Sequence, residues 1–269
     1  MATSPLGQLP NAPLAYVLGA LKFERQLTLD KHIPVLQECL QAEFPRFQPV
    51  NEAIIQIGAS GEAAPQNMQS MRYEFASADN RQGIVLNQET LVFHATAYSN
   101  YEAFSQRLEW VLKNVGEELK HLFVRRVGLR YVDVLIPQEG ETPDAYVNAG
   151  LRNMPTLSLP SQYYSGFVIS EFGMGKGSLV VRYATARGRL GLPPDLRPLL
   201  LAEPDIMRRA VPDNIVTGLL DFDRFVPEEI SFEASYVKSV FDSLHDDLSV
   251  AFRDLTTDHA KQVWNQEPK

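Results

Sequence analysis

The chain has 269 residues, 45% hydrophobic and 22% charged, with 33 acidic against 25 basic side chains and a net charge of −8. Apolar content at this level excludes a disordered polymer, and the acidic surplus excludes a protein that coats nucleic acid or anionic membrane over its whole surface. The single cysteine, Cys39, excludes an intramolecular disulfide and a cysteine-based zinc site.

Residues 1–13 hold Pro5, Pro10 and Pro13 and read as a loose arm without a charged, apolar leader. From Leu14 to Phe23 both alternating faces are apolar, the pattern of a central strand buried on two sides. Ile33, Leu36, Leu40 and Phe44 follow at helical spacing, with Pro45 as the stop, and Cys39 is expected there as a small buried hydrophobe. Strand-like segments come next near 53–57, 71–77, 83–87 and 90–98. A helix starts at Ser99-Asn100, either of which can cap it, and carries the stripe Phe104, Leu108, Val111, Leu112, Val115, Leu119 and Leu122. Val124–Ile136 then reads as a strand.

Residues 137–160, with Pro137, Pro143, Pro155 and Pro160, are read as a linker between two halves. Strands are expected near 165–173 and 178–186, joined by Gly173-Met174-Gly175-Lys176-Gly177, and again near 214–224 after a Pro/Leu-rich stretch. The closing helix carries Val237, Val240, Phe241, Leu244, Leu248, Ala251, Phe252 and Leu255. The expected fold is therefore α+β: an N-terminal half over 14–136 (β-α-β-β-β-α-β) fused to a C-terminal half over 161–269 (β-β-β-α). Both halves carry mainly antiparallel sheets, and the helices cover one face. Phe104, Leu108, Val115, Phe241, Leu248 and Phe252 are placed in one shared core.

Several of these segments carry a pattern. Pro13-Leu14-x-x-Val17…Phe23, Tyr98-x-x-Tyr101-Glu102-x-Phe104, Arg126-Val127-Gly128-Leu129-Arg130-Tyr131-Val132, Leu219-x-Asp221-Phe222-Asp223 and Leu244-His245-Asp246…Ala251-Phe252 occur in that order. Together they resemble a sporadically distributed bacterial and archaeal family of uncharacterised proteins of about this size. The resemblance implies carriage on mobile or defence-associated gene clusters and implies no activity.

The chemistry-bearing motifs are incomplete. The glycine-rich stretch at 173–177 lacks the four-residue spacing and the Ser or Thr after Lys that a phosphate loop needs, so it reads as a hairpin tip. No H-x-x-x-H, H-E-x-x-H or G-x-S-x-G is present. His245, Asp246 and Asp247, with Asp242 one turn earlier, splay around a helix and do not converge on one ion, with Asp242 and Asp246 read as facing solvent. No cofactor and no metal are expected.

Charge is distributed unevenly: residues 121–209 carry 11 basic against 8 acidic groups, while residues 210–269 carry 5 against 12. Within the basic stretch, Arg126-x-Gly128-x-Arg130 puts two guanidiniums on one strand face, opposite Val127, Leu129 and Tyr131. One expectation is a structural ion pair in which Arg130 or Arg126 meets Asp221 or Asp223 across the junction of the halves. The other is an anion or RNA-phosphate site formed by Arg126, Arg130, Arg182, Arg187 and Arg189. A minor third reading makes Asp221 and Asp223 metal ligands, which requires them to stay free of arginine.

The functional expectation is a cytoplasmic, non-catalytic interaction protein with a protein partner: an accessory, antitoxin or immunity-type subunit of a defence or mobile-element cluster. The alternative is an RNA- or polyanion-binding protein with weak nuclease activity. No stretch approaches the roughly 18 apolar residues needed to cross a bilayer, so no membrane association is expected.

Overall fold

The computed structural model describes residues 9–57, 63–155, 157–159, 161–196, 199 and 201–266, with the backbone alone for 52–57 and 63–70. Residues 1–8 of the expected arm lie outside the described residues. The elements run β1 (Leu14–Phe23), α1 (Leu29–Leu40), β2 (Arg46–Ile57), β3 (Ala63–Ala76), β4 (Gln82–Leu86), β5 (Thr90–Ala95), α2 (Tyr101–Leu119) and β6 (Phe123–Leu135). They continue with β7 (Ser165–Gly173), β8 (Ser178–Arg187), β9 (Val216–Ser231), α3 (Ala234–Leu255) and α4 (Asp258–Trp264).

All nine strands form one sheet in the order β2-β3-β4-β5-β1-β6-β9-β8-β7, and every pairing is antiparallel. The fold is α+β. Its two runs of strands join edge to edge where β6 pairs with β9, from Phe123↔Ser231 to Leu135↔Gly218. β1 is central, between β5 and β6, which is why neither of its faces carries a polar stripe.

Helices α1, α2 and α3 pack their apolar stripes on one face of the sheet. Phe104, Leu108, Val115, Phe241 and Leu248 are buried in that core, and Phe252 packs against it. Asn100 caps α2, its side chain accepting from the Ala103 amide at 2.8 Å. The helix α1 ends at Leu40, earlier than Phe44, yet Phe44 stays buried because its amide still bonds the Leu40 carbonyl at 2.8 Å in a closing turn. Cys39 corrects the sequence reading: it is exposed. The buried stripe of α1 runs through Leu29, Ile33, Leu36 and Leu40, and Cys39 lies off its side.

Helix α4 is an addition that periodicity missed, since seven residues span barely two turns. The Thr257 side chain caps it, and Trp264 packs on Phe252 with ring centroids 5.5 Å apart. The segment 137–160 contributes Tyr146, Val147 and Leu151 to the same core and bridges Val147 to Thr256. On the opposite face, the connection from β8 to β9 lays Leu196, Leu190, Leu192, Leu199 and Leu201 over Tyr16, Leu18, Val132 and Leu219. Among the described residues, that cover reaches β8 at Ala184 and includes no residue of β7.

Candidate functional site

Alternation on β6 sends Val127 and Leu129 into the helix-side core and Arg126, Gly128 and Arg130 to the other face. Register sets their neighbours. Arg130 lies opposite Asp223, Asp223 opposite Val180, and Val180 opposite Glu171. One row along, Val132, Asp221, Arg182 and Ile169 face one another across the same four strands.

Arg130 reaches diagonally past its direct neighbour. Its Nε and Nη2 donate to the two oxygens of Asp221, both at 2.7 Å, in a bidentate fork. Nη1 donates to Asp195 at 2.5 Å. Arg182 lies 3.2 Å from Asp221 and 3.5 Å from Asp223. The side chains of Arg130 and Asp221 are 8% and 1% exposed, so the pair is desolvated. Burial opposes the charge on Arg130, but the bonds to Asp221 and Asp195 outweigh it and hold the guanidinium protonated beyond its ordinary value. Asp223 is pushed toward its neutral form: burial raises its carboxyl, and the nearby arginines only partly offset this.

The remaining predicted arginines do not join this cluster. Arg126 stacks its guanidinium 3.6 Å from the centroid of the Phe225 ring. Arg187 donates to the Asp213 carbonyl at 2.9 Å, and Arg189 pairs with Glu203. Asp221, engaged by two arginines, does not meet the condition that the metal-ligand reading set for it. Asp195 was not anticipated. The signal for it is Pro193-Pro194-Asp195, a turn closed by the Leu196 amide on the Pro193 carbonyl at 2.9 Å, which aims the carboxylate at Arg130.

Beyond Arg182 the face is open. Phe167 and Ile169, on the same side of β7, are 58% and 57% exposed. Tyr164, just before the strand, and Leu157 and Leu159 are exposed as well. The hairpin tip joining β7 to β8 depends on Gly177, whose φ is +73° and whose hypothetical Cβ would sit 2.0 Å from the Phe225 carbonyl oxygen. Lys176 in that tip bonds Glu228 at 2.6 Å.

On the helix side, His245 stacks on Tyr101 at 3.7 Å and meets the Tyr131 hydroxyl through Nδ1 at 3.0 Å. Burial lowers its pKa. Asp242, its side chain 41% exposed, accepts from Tyr101 at 2.9 Å and from Lys238 at 2.7 Å. Asp247 pairs with Arg224 at 2.8 Å. Among the described residues no group of three or more His, Cys, Asp or Glu side chains is placed to hold a metal ion. No described helix is long and apolar enough to cross a membrane. The chain matches no protein-family model and no curated protein sequence.

Proposed function

We propose that this protein is a non-catalytic interaction module that receives an extended, basic segment of a partner protein along β7. The observation that carries the reading is the state of that edge. Among the described residues β7 pairs only with β8, so one side of a nine-residue strand keeps its backbone donors and acceptors unpaired. Natural edges are commonly guarded by lysine, proline or a bulge. The sequence of β7, SGFVISEFG, has neither residue and pairs with β8 without a register shift. An added strand completes its ladder while Phe167 and Ile169 cover apolar partner side chains. Glu171 is the strand's one charge and is exposed, and the chain's net charge is −8, which favours a basic segment.

The polyanion alternative is less well supported, because Arg130, Arg182 and Arg189 already hold carboxylates that a phosphate would have to displace. An accessory, antitoxin or immunity-type role, and carriage on a defence or mobile-element cluster, rest on the sequence resemblance alone. A cytoplasmic site of action rests on the single unpaired cysteine.

The test uses a fluorescent synthetic peptide of alternating valine and lysine, with a valine–glutamate peptide as control. The valine–lysine peptide is expected to bind, to slow hydrogen exchange at β7 amides, and to bind Ile169→Lys about tenfold more weakly or worse. Unchanged β7 exchange defeats the reading. So does tight, steeply salt-dependent binding of single-stranded RNA in place of the peptide.

A further inference from the structure

At the opposite end of the sheet, one cross-strand row runs His94, Gly83, Ala76 and Arg46 across β5, β4, β3 and β2. The two middle residues have almost no side chain, so the row sinks between a histidine and an arginine. The neighbouring row places Val85, Glu74 and Gln48 along one wall. Leu201, from the connection between β8 and β9, and Asn80, from the turn joining β3 to β4, close the hollow to a cavity of 350 Å³.

His94 is built into this cavity. It is 3% exposed, and its Nδ1 lies 2.5 Å from the Tyr16 hydroxyl. That hydroxyl is buried and has no other acceptor among the described residues, so leaving its proton undonated would be costly. Tyr16 therefore donates to Nδ1, which puts the imidazole proton on Nε2. Burial, with the Arg72 charge adding to it, pulls the pKa of His94 down to about 3 and keeps the ring neutral. Nε2 has no hydrogen-bond partner among the described residues, and it overlies Gly83, where a Cβ would come within 2.7 Å of it. Glycine keeps that N–H clear.

The charges select the ligand. Arg72 donates to Glu74 at 2.7 Å, which offsets the one carboxylate among the described lining residues. Arg46 is exposed and forms no ion pair with a described residue. From this geometry we propose that the cavity binds a small molecule bearing a single carboxylate, which accepts from His94 Nε2 and pairs with Arg46. A doubly charged phosphate suits it less, because Glu74 stands within the same wall and, among the described residues, Arg46 is the one unpaired cation that faces it.

Calorimetric titration with benzoate, benzamide and inorganic phosphate, on the whole chain, tests this. Benzoate is expected to bind, benzamide to bind at least about tenfold more weakly, and Arg46→Ala to lose about tenfold in benzoate affinity. Arg46 is exposed, so its removal leaves the fold intact. Gly83→Ala should abolish binding by filling the hollow, and Arg46→Ala keeps the test valid if that variant does not fold. Benzoate failing to bind, binding equally to Arg46→Ala, or yielding to phosphate as the tighter ligand overturns the proposal.

Discussion

Arg130 holds its partners because a planar guanidinium offers donors on two edges, and β6 delivers one edge to Asp221 and the other to Asp195. Removing it strands the buried Asp221 carboxylate. Arg130→Ala should therefore cost about 3–5 kcal/mol in urea unfolding, and Arg130→Lys should not restore it, since an ammonium cannot make the fork. A loss below about 1 kcal/mol would show that the pair behaves as an exposed one. Asp133, three residues on, is buried among tyrosines, and burial, with the Asp221 charge adding to it, pushes its carboxyl up to about 8. Between about pH 4 and pH 8 the folded chain keeps a proton that the unfolded chain has released, so this group's contribution is complete at low pH and is lost as pH rises. Relative to Asp133→Asn, the protein should lose at most about 1.4 kcal/mol per pH unit across that window, and parallel stability profiles would contradict the assignment.

At the scale of elements, the two long helices and the edge strand make opposite demands. Leu108 on α2 and Leu248 on α3 are almost completely buried in the core against the sheet. Truncating either to Ala should cost about 2–5 kcal/mol by chemical denaturation, and a loss under about 1 kcal/mol would show that the helices do not pack as described. Phe167 and Ile169 on β7 have large side chains too, yet more than half of each is in water. Phe167→Lys should therefore change stability by no more than about 0.5 kcal/mol. A large loss would mean that β7 is already covered.

For the whole molecule, the β6–β9 pairing and the shared core make the two runs of strands interdependent. Each run has its own reporter, Trp110 on α2 and Trp264 on α4, the only tryptophans in the chain. In each single-tryptophan variant, Trp264→Phe and Trp110→Phe, the fluorescence of the remaining tryptophan should change at the same urea concentration as the helical circular dichroism is lost. Two separated transitions would show halves that fold independently.

Apart from α4, the order of elements was legible in the sequence because it depends on local pattern, an almost unbroken apolar run for β1 and period 3.6 for the stripes of α2 and α3. The face shared by Arg126, Gly128 and Arg130 was legible for the same reason, since alternation is a property of one strand. The pairing of this strand with Asp221 or Asp223 was legible as a set of alternatives, and the choice within it was not. Arg130 selects Asp221 diagonally over the directly opposed Asp223, Arg126 selects an aromatic ring, and Asp195 arrives from a turn far along the chain. The hollow between His94 and Arg46 needs four strands in one register before it exists. Local sequence sets which way a side chain points, whereas register and strand order decide what it meets, and these are settled only when the whole sheet forms.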